Sequence, residues 1–207
     1  MTGHIITAGM RREQHRAITR ERLLQVGADL FSRSGYSATG IQEIVTAAGV
    51  PKGSFYNYFP GKRQYAAEII RFYGERLLRQ WAEQLAADAD APAWNRLQQA
   101  FENMARQCGA SPVGTGCLIG SLVSELAEAG HPCREALEEA TTAWCAQMGA
   151  HLRQAQEQGA VRDDLPAEQL AELLWSVWEG SLLRMKLTAS SDAVTRMMSL
   201  FFTVLAR

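Results

Sequence analysis

Apolar residues recur every three or four positions along most of this 207-residue chain, which is the period of an amphipathic helix. Two such stripes run over residues 14–34 and 62–88. Two short helices are expected between positions 39 and 59, and no segment alternates for long with the period of a β-strand. The pattern therefore predicts an all-α protein of nine helices. Glycine and proline breaks delimit the five remaining helices, at 93–108, 115–129, 133–158, 166–187 and 191–206.

Residues 39–59, TGIQEIVTAAGVPKGSFYNYF, form the most informative stretch. Thr39 is a suitable N-cap for the first short helix, and Gln42 completes the pattern of a capping box. Gly49 permits a tight turn, and Pro51 is tolerated in the first turn of the helix that follows. A short helix, a glycine turn and a polar, aromatic second helix are typical of a helix-turn-helix, whose second helix enters the DNA major groove.

An ordered set of residues extends this motif over roughly the first third of the chain. It comprises Ala28, Leu30, Phe31, Gly35, Tyr36, Thr39, Ile41, Ile44, Ala48, Gly49, Val50, Gly53, Phe55, Tyr56, Tyr58, Phe59 and Lys62. In this set the chain resembles the N-terminal domain of the TetR family of transcriptional regulators. The resemblance implies a three-helix helix-turn-helix head at 16–62, after a flexible leader at 1–15, and a six-helix ligand-sensing and dimerisation body at 63–207. Pro51 departs from the family pattern, which has Ser or Thr there, so one phosphate contact of the family lacks its hydroxyl.

The candidate DNA contacts lie at the start of the first short helix and along the second. Thr39 and Gly40 offer a hydroxyl and backbone N–H groups to a phosphate. Phosphate contacts supply most of the affinity for DNA, while contacts with base edges supply sequence information. Lys52 and Ser54 are the residues predicted to contact bases. The predicted DNA-binding residues are Thr39, Gly40, Lys52, Gly53, Ser54, Tyr56, Asn57, Tyr58 and Lys62, and the resemblance implies backbone contacts for the last two.

Charge is distributed unevenly along the chain. Residues 1–72 hold ten Lys and Arg against five Asp and Glu, a net charge of +5, and the whole chain carries −1, which leaves −6 for residues 73–207. A basic head on an acidic body suits a protein that meets polyphosphate with one end. Arg11, Arg12 and Arg16 are further candidates for contact with the DNA backbone.

A single helix-turn-helix reads only a few base pairs, so we expect a homodimer that binds two half-sites. The helices predicted at 166–187 and 191–206 are apolar around too much of their circumference for isolated surface helices. The resemblance implies that they pair with their symmetry mates in a four-helix bundle. The candidate interface residues, each equally a candidate for the core of one subunit, are Leu174, Trp175, Leu182, Met197, Phe201 and Leu205.

The four cysteines, Cys108, Cys117, Cys133 and Cys145, match no zinc-site spacing, and most are expected to be small buried hydrophobes. Cys117 differs because it lies in the glycine-rich sequence GTGCLIG, in the first turn of a predicted helix. The positive end of a helix dipole lowers the pKa of a thiol. The sequence therefore predicts an accessible, reactive thiolate at Cys117.

The segment from Gly116 to Gly120, with Ser121-Leu122 and Glu125-Leu126 after it, resembles one branch of the TetR family. That branch includes repressors that respond to reactive electrophiles, chlorine oxidants or acrylate. The resemblance implies a sensing role for Cys117 and an assisting role for Lys186. Two hypotheses remain for the inducer: a thiol-reactive electrophile or oxidant, or a small acid or aromatic bound without a covalent bond. Candidates for the pocket wall, although large side chains of this kind more often belong to the core, are Trp94, Phe101, Trp144, Met148 and Trp178.

Other classes of function have less support. The chain has no nucleophile elbow, phosphate loop or H-E-x-x-H motif, which leaves a thiol enzyme built on Cys117 and His151 as the remaining enzyme hypothesis. No apolar run approaches the roughly 20 residues of a membrane span, and the N-terminal sequence does not read as a signal peptide. We therefore expect a cytoplasmic repressor without a cofactor or metal, which binds double-stranded operator DNA and is released by a small-molecule inducer.

Overall fold

The computed structural model describes residues 3–110, 116–126 and 132–207, with side chains from residue 12 onward except at 109–110. The described residues confirm the all-α prediction, and their only other regular pairing is an isolated antiparallel bridge between Val161 and Ala206. Parts of the helix predicted at 115–129 lie outside these residues. No described helix is long and apolar enough to cross a membrane. The helices are α1 (Gly3–Ala38), α2 (Ile41–Ala47), α3 (Lys52–Phe55), α4 (Lys62–Ala86), α5 (Ala93–Ala110), α6 (Leu118–Leu126), α7 (Pro132–Glu157), α8 (Ala167–Thr188) and α9 (Asp192–Leu205).

Helix α1 is kinked at Gly35, the residue at which the sequence predicts its end. Gly35 has φ 79° and ψ 170°, a backbone conformation that residues with a side chain rarely adopt. The helix begins at Gly3 and therefore includes most of the segment 1–15 that the sequence assigns to a leader. Gly49 also has a positive φ, of 63°, which confirms its predicted place in the tight turn between α2 and α3.

The capping box predicted at Thr39 is wrong. The N-cap of α2 is Gly40, in an extended conformation and without a side-chain cap. Thr39 is fully buried, and its hydroxyl donates a 2.8 Å hydrogen bond to the carbonyl oxygen of Gly35. Because this hydroxyl closes the kink of α1, it is not exposed to a phosphate, and a contact at this point would fall to the backbone of Gly40.

Two hydrophobic clusters make up the interior. The head cluster combines buried residues of α1, α2, α3 and the first half of α4 with the apolar face of α6 and the start of α7. The body cluster combines the second half of α4 with α5, α7, α8 and α9. Helix α4 therefore runs through both, with Tyr65 and Ile69 in the head cluster and Trp81 in the body cluster. Cys117 and Trp175 pack against both clusters, which places them at the junction between head and body.

Candidate functional site

The surface of α3 and the turn after it carries most of the predicted DNA contacts. Phe55 and Phe59 are buried and anchor this segment on Tyr65 of α4, at ring-centroid distances of 5.1 and 4.7 Å. A Cβ at Gly53 would meet nothing within 4 Å, so this position is open to an approaching duplex. The predicted residues that are exposed or partly exposed are Gly40, Lys52, Gly53, Ser54, Tyr56, Asn57, Tyr58 and Lys62.

Helix α1 contributes Arg16 to the same surface. Its guanidinium lies 5.8 Å from the ring centroid of Tyr58, and Nη2 donates a 3.2 Å hydrogen bond to the carbonyl oxygen of Asn57. A guanidinium held against an aromatic face keeps its charge while its orientation is fixed. Arg16 thus braces the turn after α3 and adds positive charge beside the candidate contacts.

Lys62, at the start of α4, is partly engaged within the protein. Its ammonium lies 4.2 Å from the ring centroid of Tyr36. Burial lowers the pKa of Lys62, and the negative charge of Glu125 works against that shift. The side chain therefore helps to hold the head together, and its contact with DNA stays a prediction.

Glu125, near the end of α6, joins the body to the junction of α1 and α2. Its Oε1 accepts a 3.1 Å hydrogen bond from the N–H of Tyr36, and its Oε2 accepts a 2.8 Å bond from the N–H of Ser37. Burial disfavours the ionised carboxylate, but these N–H donors and the charge of Lys62 outweigh it, so the pKa of Glu125 is lowered. A Cβ at Gly35 would lie 2.7 Å from Oε1, so the glycine makes room for the carboxylate.

Two cavities meet at Cys117. One, of about 400 Å³, lies among α1, α4, α5, α7 and α8, and the other, of about 580 Å³, lies among α1, α6 and α8. Both volumes fall in the range of small-molecule sites. The first is lined by Tyr73, Arg76 and Cys108 among others, and the second by residues that include Glu179 and Lys186. The residues that border both are Ser32, Arg33, Gly116, Cys117, Trp175 and Leu182.

Cys117 precedes the first turn of α6, where its carbonyl oxygen accepts a 3.0 Å hydrogen bond from the N–H of Ser121. Burial raises the pKa of its thiol well above the ordinary value, and Glu179 raises it further through its charge and the hydrogen bond that it accepts. The backbone N–H groups of Gly120 and Ile119 oppose the shift without reversing it. The prediction of a lowered thiol pKa is therefore wrong, because burial and a neighbouring carboxylate outweigh the N-terminus of the helix.

Helix α8 presents two charged side chains to the start of α6. The ammonium of Lys186 donates a 2.7 Å hydrogen bond to the hydroxyl of Ser121, and a Cβ at Gly116 would lie 2.7 Å from its Cε. A Cβ at Gly120 would overlap Oε2 of Glu179, so this carboxylate packs directly on the backbone of α6. Burial raises the pKa of Glu179, and the thiol of Cys117 and the charge of Lys186 oppose that shift. The Oε1 atom of Glu179 is buried and has no hydrogen-bond partner in the described part of the chain.

The aromatic residues predicted for the pocket divide into two groups. Trp144 and Trp178 line the smaller cavity. Trp94, Phe101 and Met148 line neither cavity and are buried in the body cluster, which is the core role that the sequence favoured for them. The rings of Trp94 and Phe101 pack against Phe202 of α9, with centroids 4.9 and 5.7 Å away.

Sequence reasoning missed two residues of the site. Glu179 could have been found, because it lies two helical turns before Lys186 and therefore on the same face of one helix. Tyr73 carries no such signal. Burial raises its pKa, as does the nearby Cys117, while a hydrogen bond from the backbone of Leu118 opposes the shift. Through Tyr73, α4 contacts the first residue of α6.

The predicted dimer residues mostly belong to the core. Trp175 and Met197 are partly exposed, and Trp175 borders both cavities. Four others are buried within the subunit, which is the core role that the sequence left open beside the interface role: Leu174, Leu182, Phe201 and Leu205. The side chains that α8 and α9 expose instead are Leu173, Leu183, Leu187, Leu200 and Val204.

The residues of the enzyme hypothesis are not brought together. His151 borders neither cavity, and its Nδ1 lies 3.0 Å from the carbonyl oxygen of Gln147. Across the described ranges, no three His, Cys, Asp or Glu side chains are grouped as a metal site.

Comparison with known proteins agrees with this architecture. Residues 23–69 match the family of bacterial regulatory proteins of the tetR type, and residues 93–201 match the tetracyclin repressor-like C-terminal domain. The repressor DhaR of a Mycobacterium species is 32% identical, over 92% of this chain and 93% of its own. The regulator AcuR of Cereibacter sphaeroides is 33% identical, over 85% of this chain and 80% of its own. The crystal structure of a regulatory protein TetR from Rhodobacter sphaeroides superposes with a TM-score of 0.80, at 31% identity, over 91% of this chain and 99% of that one. The head presents a helix-turn-helix, and the family model for the C-terminal domain matches more than half of the chain. The chain therefore belongs to the TetR family of transcriptional regulators.

Proposed function

We propose that this chain is a homodimeric repressor of the cytoplasm that leaves its operator when a small molecule acts at the cavities around Cys117. The position of Cys117 is the observation that carries the proposal. It lies where the head and body clusters meet, at the start of α6. Near the other end of the same helix, Glu125 accepts hydrogen bonds from the N–H groups of Tyr36 and Ser37, and this pair of bonds is called the clasp below. A displacement of α6 would therefore reach the junction of α1 and α2 through direct contacts.

The DNA contacts we propose come from the exposed surface of the head. Phosphates would be held by the N–H groups at Gly40, by Tyr58 and by Lys62, with Arg16 beside them. Bases would be read by exposed side chains of α3 and its following turn: Lys52, Ser54, Tyr56 and Asn57.

Dimerisation is supported by the apolar surface of α8 and α9. Leu183 and Leu187 are 69% and 86% exposed, and Val204 on α9 is 59% exposed. Isolated exposed leucines are common, but several exposed apolar side chains on two helices that pack together support an interaction surface. A two-fold axis at this surface would hold two heads at a fixed separation, as an operator with two half-sites requires.

The inducer we propose is a thiol-reactive electrophile or oxidant that modifies Cys117. Lys186 and Glu179 of α8 already pack on the backbone at Gly116 and Gly120, respectively. A group added to Sγ of Cys117 would therefore crowd the space between α6 and α8. The modified protein would then relax by moving α6. This movement would break the hydrogen bonds between Glu125 and the head, and the affinity for the operator would fall. An effector acts only through such a difference between two states.

Fluorescence anisotropy on DNA from beside the gene tests this function. The wild-type protein should bind the duplex and release it after treatment with N-ethylmaleimide, and Cys117→Ser should bind but not release. Cys108→Ser is the matched control, because Cys108 borders only the smaller cavity. This variant should release the duplex as the wild type does. Release that persists in Cys117→Ser would remove the covalent mechanism, and absence of specific binding would remove the repressor function.

A non-covalent ligand is the second candidate, and two observations favour it. The raised pKa of Cys117 disfavours the thiolate, and Lys186 offers an ammonium to a small acid in the larger cavity. In that case carboxylate or aromatic ligands would release the operator from Cys117→Ser as well as from wild type. Lys186→Met would then lose the response to acids.

A further inference from the structure

The half-buried side chain of Glu179 has no chemical role in the mechanism described so far. Its carboxylate packs against the backbone of Gly120, where a Cβ would overlap Oε2, and its Oε1 atom is buried without a partner among the described residues. Burying an ionised group that is incompletely paired is costly, so the position calls for a reason other than stability.

The neighbours of Glu179 suggest what this reason is. Cys117 lies beside the carboxylate, at the boundary of both cavities. Lys186 is on the same helix, two turns further on, but its ammonium is directed to Ser121 with a 2.7 Å hydrogen bond. Within the larger cavity, Glu179 is thus the carboxylate placed to exchange a proton with the thiol.

A thiol in this setting cannot react efficiently by first losing its proton to water. Burial and the adjacent carboxylate both disfavour a separate thiolate. A neighbouring base changes this, because the proton can move while the new bond forms and no isolated thiolate has to exist. Burial also raises the pKa of Glu179, which makes it a stronger base than an ordinary carboxylate.

We propose that Glu179 accepts the thiol proton when Cys117 adds to an electrophilic alkene, an inference that rests on the proposed covalent sensing. The sulfur bonds to the alkene carbon β to the carbonyl as the S–H proton passes to Glu179, and the alkene electrons move onto the conjugated carbonyl as an enolate. Glu179 then returns the proton to the adjacent carbon. The product is a saturated thioether, and the carboxylate is ionised again.

This arrangement would make the sensor selective. Cys117 would react little with molecules that do not reach the cavity, because burial and Glu179 raise the pKa of its thiol and so favour the protonated form. Electrophiles that fit beside Glu179 would react faster than the thiol alone allows. General-base assistance contributes about 10²–10⁴-fold in rate in other proteins.

The test is the rate at which N-ethylmaleimide modifies Cys117, followed by peptide mass spectrometry over a range of pH. Glu179→Gln keeps the shape and removes the base. We expect its rate at neutral pH to fall at least about tenfold. The wild-type rate should rise through the pKa of Glu179 to a plateau, whereas the Glu179→Gln rate should rise with pH throughout. Glu179→Asp should recover part of the rate, and Glu172→Gln, an exposed change on the same helix, should not alter it.

Two outcomes of this experiment would contradict the proposed role of Glu179. If Glu179 only disfavours the thiolate, Glu179→Gln would react as fast as the wild type or faster, and this would overturn the inference while leaving covalent sensing intact. If Cys117 in the wild-type protein is modified no faster than Cys108 and Cys145, both the covalent function and the role of Glu179 are wrong. Thermal melting of each variant confirms that it is folded.

Discussion

Glu125 of α6 accepts a 2.8 Å hydrogen bond from the backbone N–H of Ser37, 88 residues earlier in the chain. A second bond, from the N–H of Tyr36, involves the other carboxylate oxygen. These N–H groups lie just after the kink of α1 at Gly35. The first N–H groups of a helical segment have no acceptor within that segment. One side chain of the body thus completes the backbone hydrogen bonding of the head.

Replacing Glu125 by Ala should destabilise the protein. Two N–H groups would lose their acceptor, at a cost of about 1–3 kcal/mol. Urea denaturation of Glu125→Ala should show a lower midpoint than the wild type with an unchanged slope. The midpoint of Glu125→Gln should lie between those of Glu125→Ala and the wild type, because its amide oxygen still accepts one hydrogen bond. Glu138→Ala, which removes only an exposed ion pair with Arg134, is the control and should change the midpoint little. Equal midpoints for Glu125→Ala and wild type would contradict the clasp.

The same carboxylate makes a contribution to stability that depends on pH. The pKa of Glu125 is lower in the folded protein than its ordinary value of 4.5, so folding favours the ionised form. Its contribution is complete above the unfolded-state pKa and is lost as the pH falls through the lower, folded-state value. The difference in unfolding free energy between wild type and Glu125→Gln should therefore shrink as the pH is lowered below about 4.5. A difference that stays constant with pH would show that the charge is not involved.

Gly35→Ala tests the backbone geometry beneath the clasp. A side chain at φ 79° is strained, and its Cβ would lie 2.7 Å from Oε1 of Glu125. We expect a loss of about 1–3 kcal/mol and a weaker operator complex. Gly180→Ala is the matched control, since a Cβ there meets nothing within 4 Å in the middle of α8 and should slightly stabilise the helix. A Gly35→Ala protein as stable as wild type would contradict the assigned strain.

The sequence predicted the parts of this protein that depend on local pattern. Helix periodicity located the helices, and the glycines at 35 and 49 marked backbone positions with positive φ. Patterns of one helix do not determine what packs on it. Leu182 and Leu183 are adjacent in sequence, yet one is 3% and the other 69% exposed, and only tertiary packing separates them. The predicted lowering of the pKa of Cys117 was wrong for the same reason. Burial raises this pKa, and so does Glu179, which is 62 residues away in the chain.

Lys52→Ala should lower both the affinity and the selectivity for the operator. Lys52 is exposed at the start of α3 and makes no ion pair in the described structure, so its loss should not affect folding. A side chain that reads a base contributes about 1–3 kcal/mol of discrimination, which is roughly a 5- to 150-fold change in affinity. Anisotropy should show this loss on the operator but not on a scrambled duplex. An equal loss on both duplexes would make Lys52 a phosphate contact instead.

Leu187→Glu should separate the dimer into monomers. Leu187 is 86% exposed near the end of α8, so a charge there is tolerated by the folded subunit but would be buried in an interface built on this surface. Sedimentation should show half the mass of the wild type, and operator binding should weaken because one head contacts only one half-site. Ile18→Glu on α1, at a residue 59% exposed, is the control and should sediment as the wild type does. A Leu187→Glu protein that remains dimeric would place the interface elsewhere.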